Sequence, residues 1–155
     1  MVLVVGLSVT GSAQRDADYS FDLPQGWERE NFVDGAQIKR TEYIFGDRSS
    51  ALLKVKKVRI GRSETTDTVV ERELTALRFL PGFAQGRTEP FTAGALSGQL
   101  IQFDFNRGGK PMMGRHYYLA GDDSTLWVLQ FTGDRSTLGG IRNVTDQMAR
   151  SFREQ

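Results

Sequence analysis

No cysteine occurs among the 155 residues. That single absence removes disulfides, thiolate metal sites, a cysteine nucleophile and the acylated cysteine of a bacterial lipoprotein. Histidine occurs once, as His116, and one imidazole with scattered carboxylates lacks the paired ligand spacing that zinc requires. Charge of one sign is not in excess either. Twenty Lys and Arg stand against nineteen Asp and Glu, leaving +1, so no global field recruits nucleic acid or an anionic membrane. Beyond the N-terminus no apolar run approaches the roughly 20 residues a spanning helix needs, which excludes membrane insertion of the mature chain. Low-complexity tracts are missing as well. With 39% apolar and 25% charged residues the chain reads as one globular domain, long enough to bury a core without staples.

What is present starts at the first residue. Met1-Val-Leu-Val-Val-Gly-Leu-Ser-Val-Thr-Gly-Ser-Ala13 is uncharged, apolar and closed by small residues. Gly11 and Ala13 are small where a signal peptidase pocket demands it, and the run is too short to span a bilayer. The expectation is a signal peptide over 1–13, a single domain over 14–155, and a periplasmic or secreted location. No Lys or Arg precedes the run, which implies a signal truncated at its start. The competing reading is a first buried strand, a role that Val and Leu also suit.

Along the remaining chain, Tyr19-Ser-Phe-Asp-Leu-Pro24 alternates apolar with polar residues and predicts a short edge strand with a turn into Trp27. Residues 37–45 and 51–60 predict a hairpin around Gly46-Asp47-Arg48-Ser49. Apolar parity in the second strand flips between Val55 and Val58, which predicts a bulge at Lys56-Lys57. Thr68 and Glu71 form a capping box ahead of Val70, Leu74, Leu77 and Leu80, predicting an amphipathic helix of about 12 residues. Runs at 87–91, 96–105, 112–120 and 125–132, joined by Gly- and Asp-rich turns, predict an antiparallel meander. Ser136 or Thr137 opens a last helix striped by Ile141, Val144, Met148 and Phe152. The fold class is therefore α+β, an antiparallel sheet of six to seven strands covered by two main helices.

Phe21-Asp-Leu-Pro-Gln-Gly-Trp27, the central helix, Arg115-His-Tyr-Tyr118, Leu126-Trp-Val-Leu-Gln-Phe-Thr132 and the closing Arg150-Ser-Phe152 occur in an order that resembles the PsbP-like fold family. That family includes the extrinsic photosystem II protein PsbP, the Ran-binding import factor Mog and exported bacterial proteins of unassigned role. The resemblance spans Tyr19 to Phe152 and implies an α/β/α sandwich. It also implies accessory and binding roles rather than enzymatic ones, while its motifs are structural and carry no chemistry. Trp27 is expected to seal the sheet edge and Phe152 to dock the final helix.

Candidate chemistry is sparse. A small hydrolase would need His116 beside a hydroxyl and an acid, and Ser97, Ser124, Asp104 and Asp122 are the available partners. Arg107-Gly-Gly-Lys110 lacks the Ser or Thr of a phosphate loop, and Gly121-Asp-Asp-Ser124 lacks the calcium-loop pattern. No cofactor is implied. Two surfaces remain as contact candidates for another protein: Lys54 and Lys56 on one strand face, and Arg107, Lys110, Arg115 and Tyr117 around the glycine-rich hairpin. Edge lysines also block strand-to-strand aggregation, and that protective reading competes with the first. The sequence thus points to an exported, non-catalytic binding or assembly protein of an envelope or secreted complex. A carrier of an apolar ligand, suggested by ten phenylalanines and Met112-Met113, is the alternative.

Overall fold

The computed structural model describes residues 12–15, 18–121 and 124–155. Most of the N-terminal apolar run, residues 1–11, lies outside the described residues, as does Asp122. The elements run β1 (Ser12–Arg15), β2 (Tyr19–Leu23), β3 (Trp27–Val33), β4 (Lys39–Phe45), β5 (Ala51–Arg59), α1 (Thr66–Leu77), β6 (Ala84–Ala93), β7 (Leu96–Arg107), β8 (Lys110–Ala120), β9 (Thr125–Asp134), α2 (Arg135–Gly140), α3 (Arg142–Ser151) and β10 (Arg153–Glu154). Seven strands form an antiparallel sheet in the order β3-β4-β5-β9-β8-β7-β6. A small second sheet has the order β1-β2-β10. The α+β class and the seven-strand count match the sequence reading. Tyr19–Leu23 departs from it, being the middle strand of the small sheet rather than an edge of the large one.

Because side chains alternate across a pleated sheet, the register assigns every large-sheet residue to one of two faces. The back face carries Tyr43, Leu53, Tyr117, Trp127, Leu129 and Phe131, all almost fully buried. It is covered by the small sheet and by α2 and α3, which contribute Tyr19, Phe21, Leu138, Met148 and Phe152 to the same cluster. Phe152 docks as expected, with its ring 5.3 Å from Trp127 and 5.5 Å from Tyr19. Trp27 closes the other end, 5.6 Å from Phe45 and edge-on to Phe131 at 5.9 Å.

The front face is covered by α1. Val69, Val70 and Leu74 bury against Ile101, Tyr118, Leu126 and Val128, and Val58 packs at the margin. This arrangement corrects the expected bulge at Lys56-Lys57. The β5–β9 register runs unbroken from Ala51↔Gly133 to Arg59↔Thr125. Apolar parity flips because Leu53 and Val55 serve the back core, whereas Val58 lies beneath α1 on the front. Lys57 falls on the back face and lies over the Trp127 ring at 5.2 Å.

Two helix starts also move. The α1 N-cap is Thr65, whose hydroxyl accepts from Thr68 N at 3.2 Å, so the expected Thr68 box lies one turn too late. Glu71 instead pairs with Arg78 at 2.9 Å. The last helix is two segments broken at Ile141, capped by Asp134, whose carboxylate accepts from Ser136 N at 3.0 Å and Thr137 N at 3.3 Å.

Candidate functional site

The front face is only half covered, since α1 lies over one end of it. On the other half, β5 presents Leu52 and Lys54, β9 presents Gln130 and Thr132, β8 presents His116 and β7 presents Phe103 and Phe105. These groups and the end of α1 enclose a half-open depression of about 420 Å³. One wall is apolar, from Leu77, Leu80, Phe103 and Phe105, and the other is cationic, from Arg48, Lys54 and Arg107.

The cationic wall is organised by one buried acid. Glu42, only 4% exposed, receives Arg48 Nη2 at 2.5 Å and Lys54 Nζ at 3.8 Å. A buried carboxylate is tolerated only when paired, so Glu42 holds these two cations at the rim. Arg48 also lies over the Phe32 ring at 5.6 Å, and Arg107 over Phe105 at 5.5 Å. Lys56, next on the same strand face, pairs with Glu73 of α1 at 2.9 Å.

His116 forms part of the floor. Its ring meets Phe103 edge-on at 4.9 Å, and Nδ1 is 3.5 Å from the Tyr118 hydroxyl, a long contact. Burial, with a smaller contribution from Lys56, pushes its pKa down to about 3, so the ring is neutral near pH 7. Asp104 projects from the back face and pairs with Arg135 at 3.5 Å, on the opposite side of the sheet from His116. Ser97 pairs with Ala120, four positions further along β8, and does not approach the imidazole as a nucleophile would. Among the described residues, no group of three His, Asp or Glu side chains could hold a metal ion.

A second opening adjoins the first. β4 pairs with β5 only through Tyr43↔Leu53, Ile44↔Leu52 and Phe45↔Ala51. Earlier residues of β4 stay with β3, as far as Lys39↔Val33, while later residues of β5 stay with β9. The sheet therefore splits into a cleft of about 630 Å³, lined by Phe32, Arg40, Glu42, Lys54, Val55 and Lys56 among others. The β3–β4 turn at its mouth is fixed by Asp34, which accepts from Arg40 Nε at 2.9 Å and from the Ile38 and Ala36 amides at 3.0 and 2.9 Å. These bonds, the Arg40 one foremost, hold the Asp34 carboxyl below its ordinary pKa.

The six sequence candidates are thus redistributed. Lys54, Lys56 and Arg107 share the front face, and Lys110 sits beside Arg107 at the hairpin. Arg115 and Tyr117 do not join them. Both lie on the back face, 4% and 0% exposed, in a network with α3. Arg115 donates to Thr145 Oγ1 at 3.1 Å, to Asp146 Oδ1 at 2.8 Å and to Gln102 Oε1. Tyr117 donates to the same Asp146 oxygen at 2.5 Å. Arg115 still borders a separate back-face depression of about 320 Å³ with Arg87 and Arg142, but Tyr117 is structural. Sequence reasoning missed Arg48, Glu42 and Gln130. Arg48 sits in a turn that the sequence marks only as a turn, and Glu42 is one polar residue in an alternating strand.

No protein-family model matches the chain, and no curated protein matches it significantly. Solved structures do match. The solution structure of cyanobacterial PsbP (CyanoP) from Synechocystis aligns over 100% of this chain and 98% of its own, at 15% identity and TM-score 0.68. LpqN of Mycobacterium tuberculosis, a protein involved in cell envelope biogenesis, aligns over 94% of this chain and 85% of its own, at 14% identity and TM-score 0.66. The Pseudomonas aeruginosa protein PA94, of unknown function, aligns over 92% and 95%, at 13% identity and TM-score 0.53. The architecture is therefore a PsbP-like α+β sandwich. At these identities the likeness fixes the fold.

Proposed function

We propose that this protein is exported, loses residues 1–13, and acts without catalysis as a binding or assembly factor for an envelope or secreted complex, its partner being another protein. The observation that carries this reading is a convergence. Lys54 and Arg107, far apart in sequence and drawn from two separate candidate surfaces, border one depression on the uncovered half of the front face. Cations with apolar and aromatic neighbours are a contact composition, and arginine is enriched at interface centres. The setting of His116 also favours binding over hydrolysis, because a neutral imidazole wedged against Phe103 and Tyr118 has no carboxylate among the described residues to orient it.

The involvement of LpqN in cell envelope biogenesis supports the same class of activity. An apolar-ligand carrier would need an enclosed apolar cavity, whereas the observed depression is half-open with one charged wall. The test is affinity capture from envelope extract with the wild-type chain and with an Arg107→Glu variant. Recovery of a defined partner by the first, with strong loss in the second, is the expected result. Equal recovery by both removes this face from consideration.

A further inference from the structure

We infer that the cleft between β4 and β5 is a strand-addition site, in which an extended acidic segment of a partner pairs with the open edge of β5. The inference rests on the reading of the protein as a binding factor and specifies the chemistry of its partner. β5 is hydrogen-bonded to β9 along its whole length, yet its pairing with β4 stops at Leu53. From Lys54 to Arg59 its other edge meets no strand among the described residues, which leaves alternate N–H and C=O groups facing the cleft. Six residues of edge give ~20 Å at ~3.3 Å per residue, enough for a peptide strand of ordinary length. The adjoining cleft of about 630 Å³ supplies room for it.

Side chains along this edge select the occupant. Lys54, Lys56, Lys57 and Arg59 are all exposed, and two copies of the chain pairing here would oppose these cations to one another. Directly opposed like charges destabilise a strand pair, so the row rejects self-association and amyloid-like stacking. The same row favours an acidic strand, which reconciles the protective role of edge lysines with a contact role. Register then fixes a pattern. Lys54 and Lys56 project to the front, where acidic residues of the incoming strand meet them. Val55, between them, projects to the back, half-buried against the core, and calls for an apolar residue opposite. The recognised segment is acid–apolar–acid.

The test is a titration of the full chain with a capped peptide, Glu-Val-Glu-Val-Glu-Ser, followed by NMR shifts and amide hydrogen exchange. A scrambled peptide and a backbone N-methylated one serve as controls. Strand addition slows exchange at alternate amides within 54–59 and is abolished by N-methylation. It weakens roughly tenfold in the Lys54→Gln/Lys56→Gln variant. No protection of β5 at about 1 mM peptide, or equal binding of the N-methylated form, overturns the inference. If capture of an envelope partner depends on Arg107 while the double variant recovers it fully, strand addition fails and the binding function stands.

Discussion

Asp146 of α3 and Arg115 of β8 meet at 2.8 Å across the back face, and the Tyr117 hydroxyl donates to the same carboxylate oxygen. One carboxylate therefore ties the last helix to the middle of the large sheet. Arg115 is 4% exposed, so removing its counter-ion leaves a nearly buried cation with only neutral partners. Burial of the Tyr117 hydroxyl raises its pKa well above the ordinary tyrosine value, keeping it a donor.

The Asp146→Ala change is accordingly expected to cost about 2–3 kcal/mol, below the full loss for a completely buried pair because Asp146 is 23% exposed. Asp146→Asn, which retains an acceptor, is expected to cost less than half as much. Urea midpoints at constant slope measure both.

Acid sensitivity follows from His116. Its folded pKa lies near 3, below the ordinary 6.5, so the unfolded chain binds the extra proton first. Stability is fully present above pH 6.5 and declines as pH falls toward 3, by up to about 1.4 kcal/mol per pH unit. The lowered pKa values of Asp34, Asp47 and Asp134 act only below their ordinary 3.8, outside the interval from 6.5 to 4.5. A His116→Phe variant, similar in volume, is expected to flatten denaturation free energy across that interval. An unchanged slope would mean that the ring is solvated.

Gly114 of β8 lies beneath the Phe103 ring, and a Cβ there would come within 2.1 Å of it. Gly114→Ala is expected to destabilise by about 1–3 kcal/mol through overpacking. Adding Phe103→Leu should recover part of that loss, which a double-mutant cycle would register as coupling.

How much of this was legible follows from where each residue's partners lie. β7, β8, β9 and α1 announce themselves because apolar periodicity and turn residues are local signals. β3 does not. In Trp-Glu-Arg-Glu-Asn-Phe-Val only Trp27 is buried, so an edge strand reads as polar coil. Parity in β5 misleads for a related reason, since the layer covering the sheet changes from α2–α3 to α1 along one strand. Arg115 and Tyr117 look like surface groups until Asp146, 31 and 29 positions away, is brought against them. The convergence of Lys54 with Arg107 requires the strand order β5-β9-β8-β7, which no local pattern encodes.

Export is checked by the N-terminus of the mature chain, expected at Gln14. Cleavage there leaves only Gln14 and Arg15 of β1, whose four residues pair with β2. Intact-mass and N-terminal peptide mass spectrometry of protein recovered from the periplasm or medium, which also detects an N-terminal glutamine cyclised to pyroglutamate, measures it. Intact chains beginning at Met1 in the cytosol would contradict it.

The most direct measurement is partner capture from envelope extract by four proteins: wild type, Arg107→Glu, Lys54→Gln/Lys56→Gln, and Arg87→Gln as a control, an exposed cation away from both the depression and the β4–β5 cleft. Thermal melts confirm folding of each. The expected result is a partner retained by wild type and the control but lost when the front-face cations change. Undiminished capture by both front-face variants would contradict a binding role for that face.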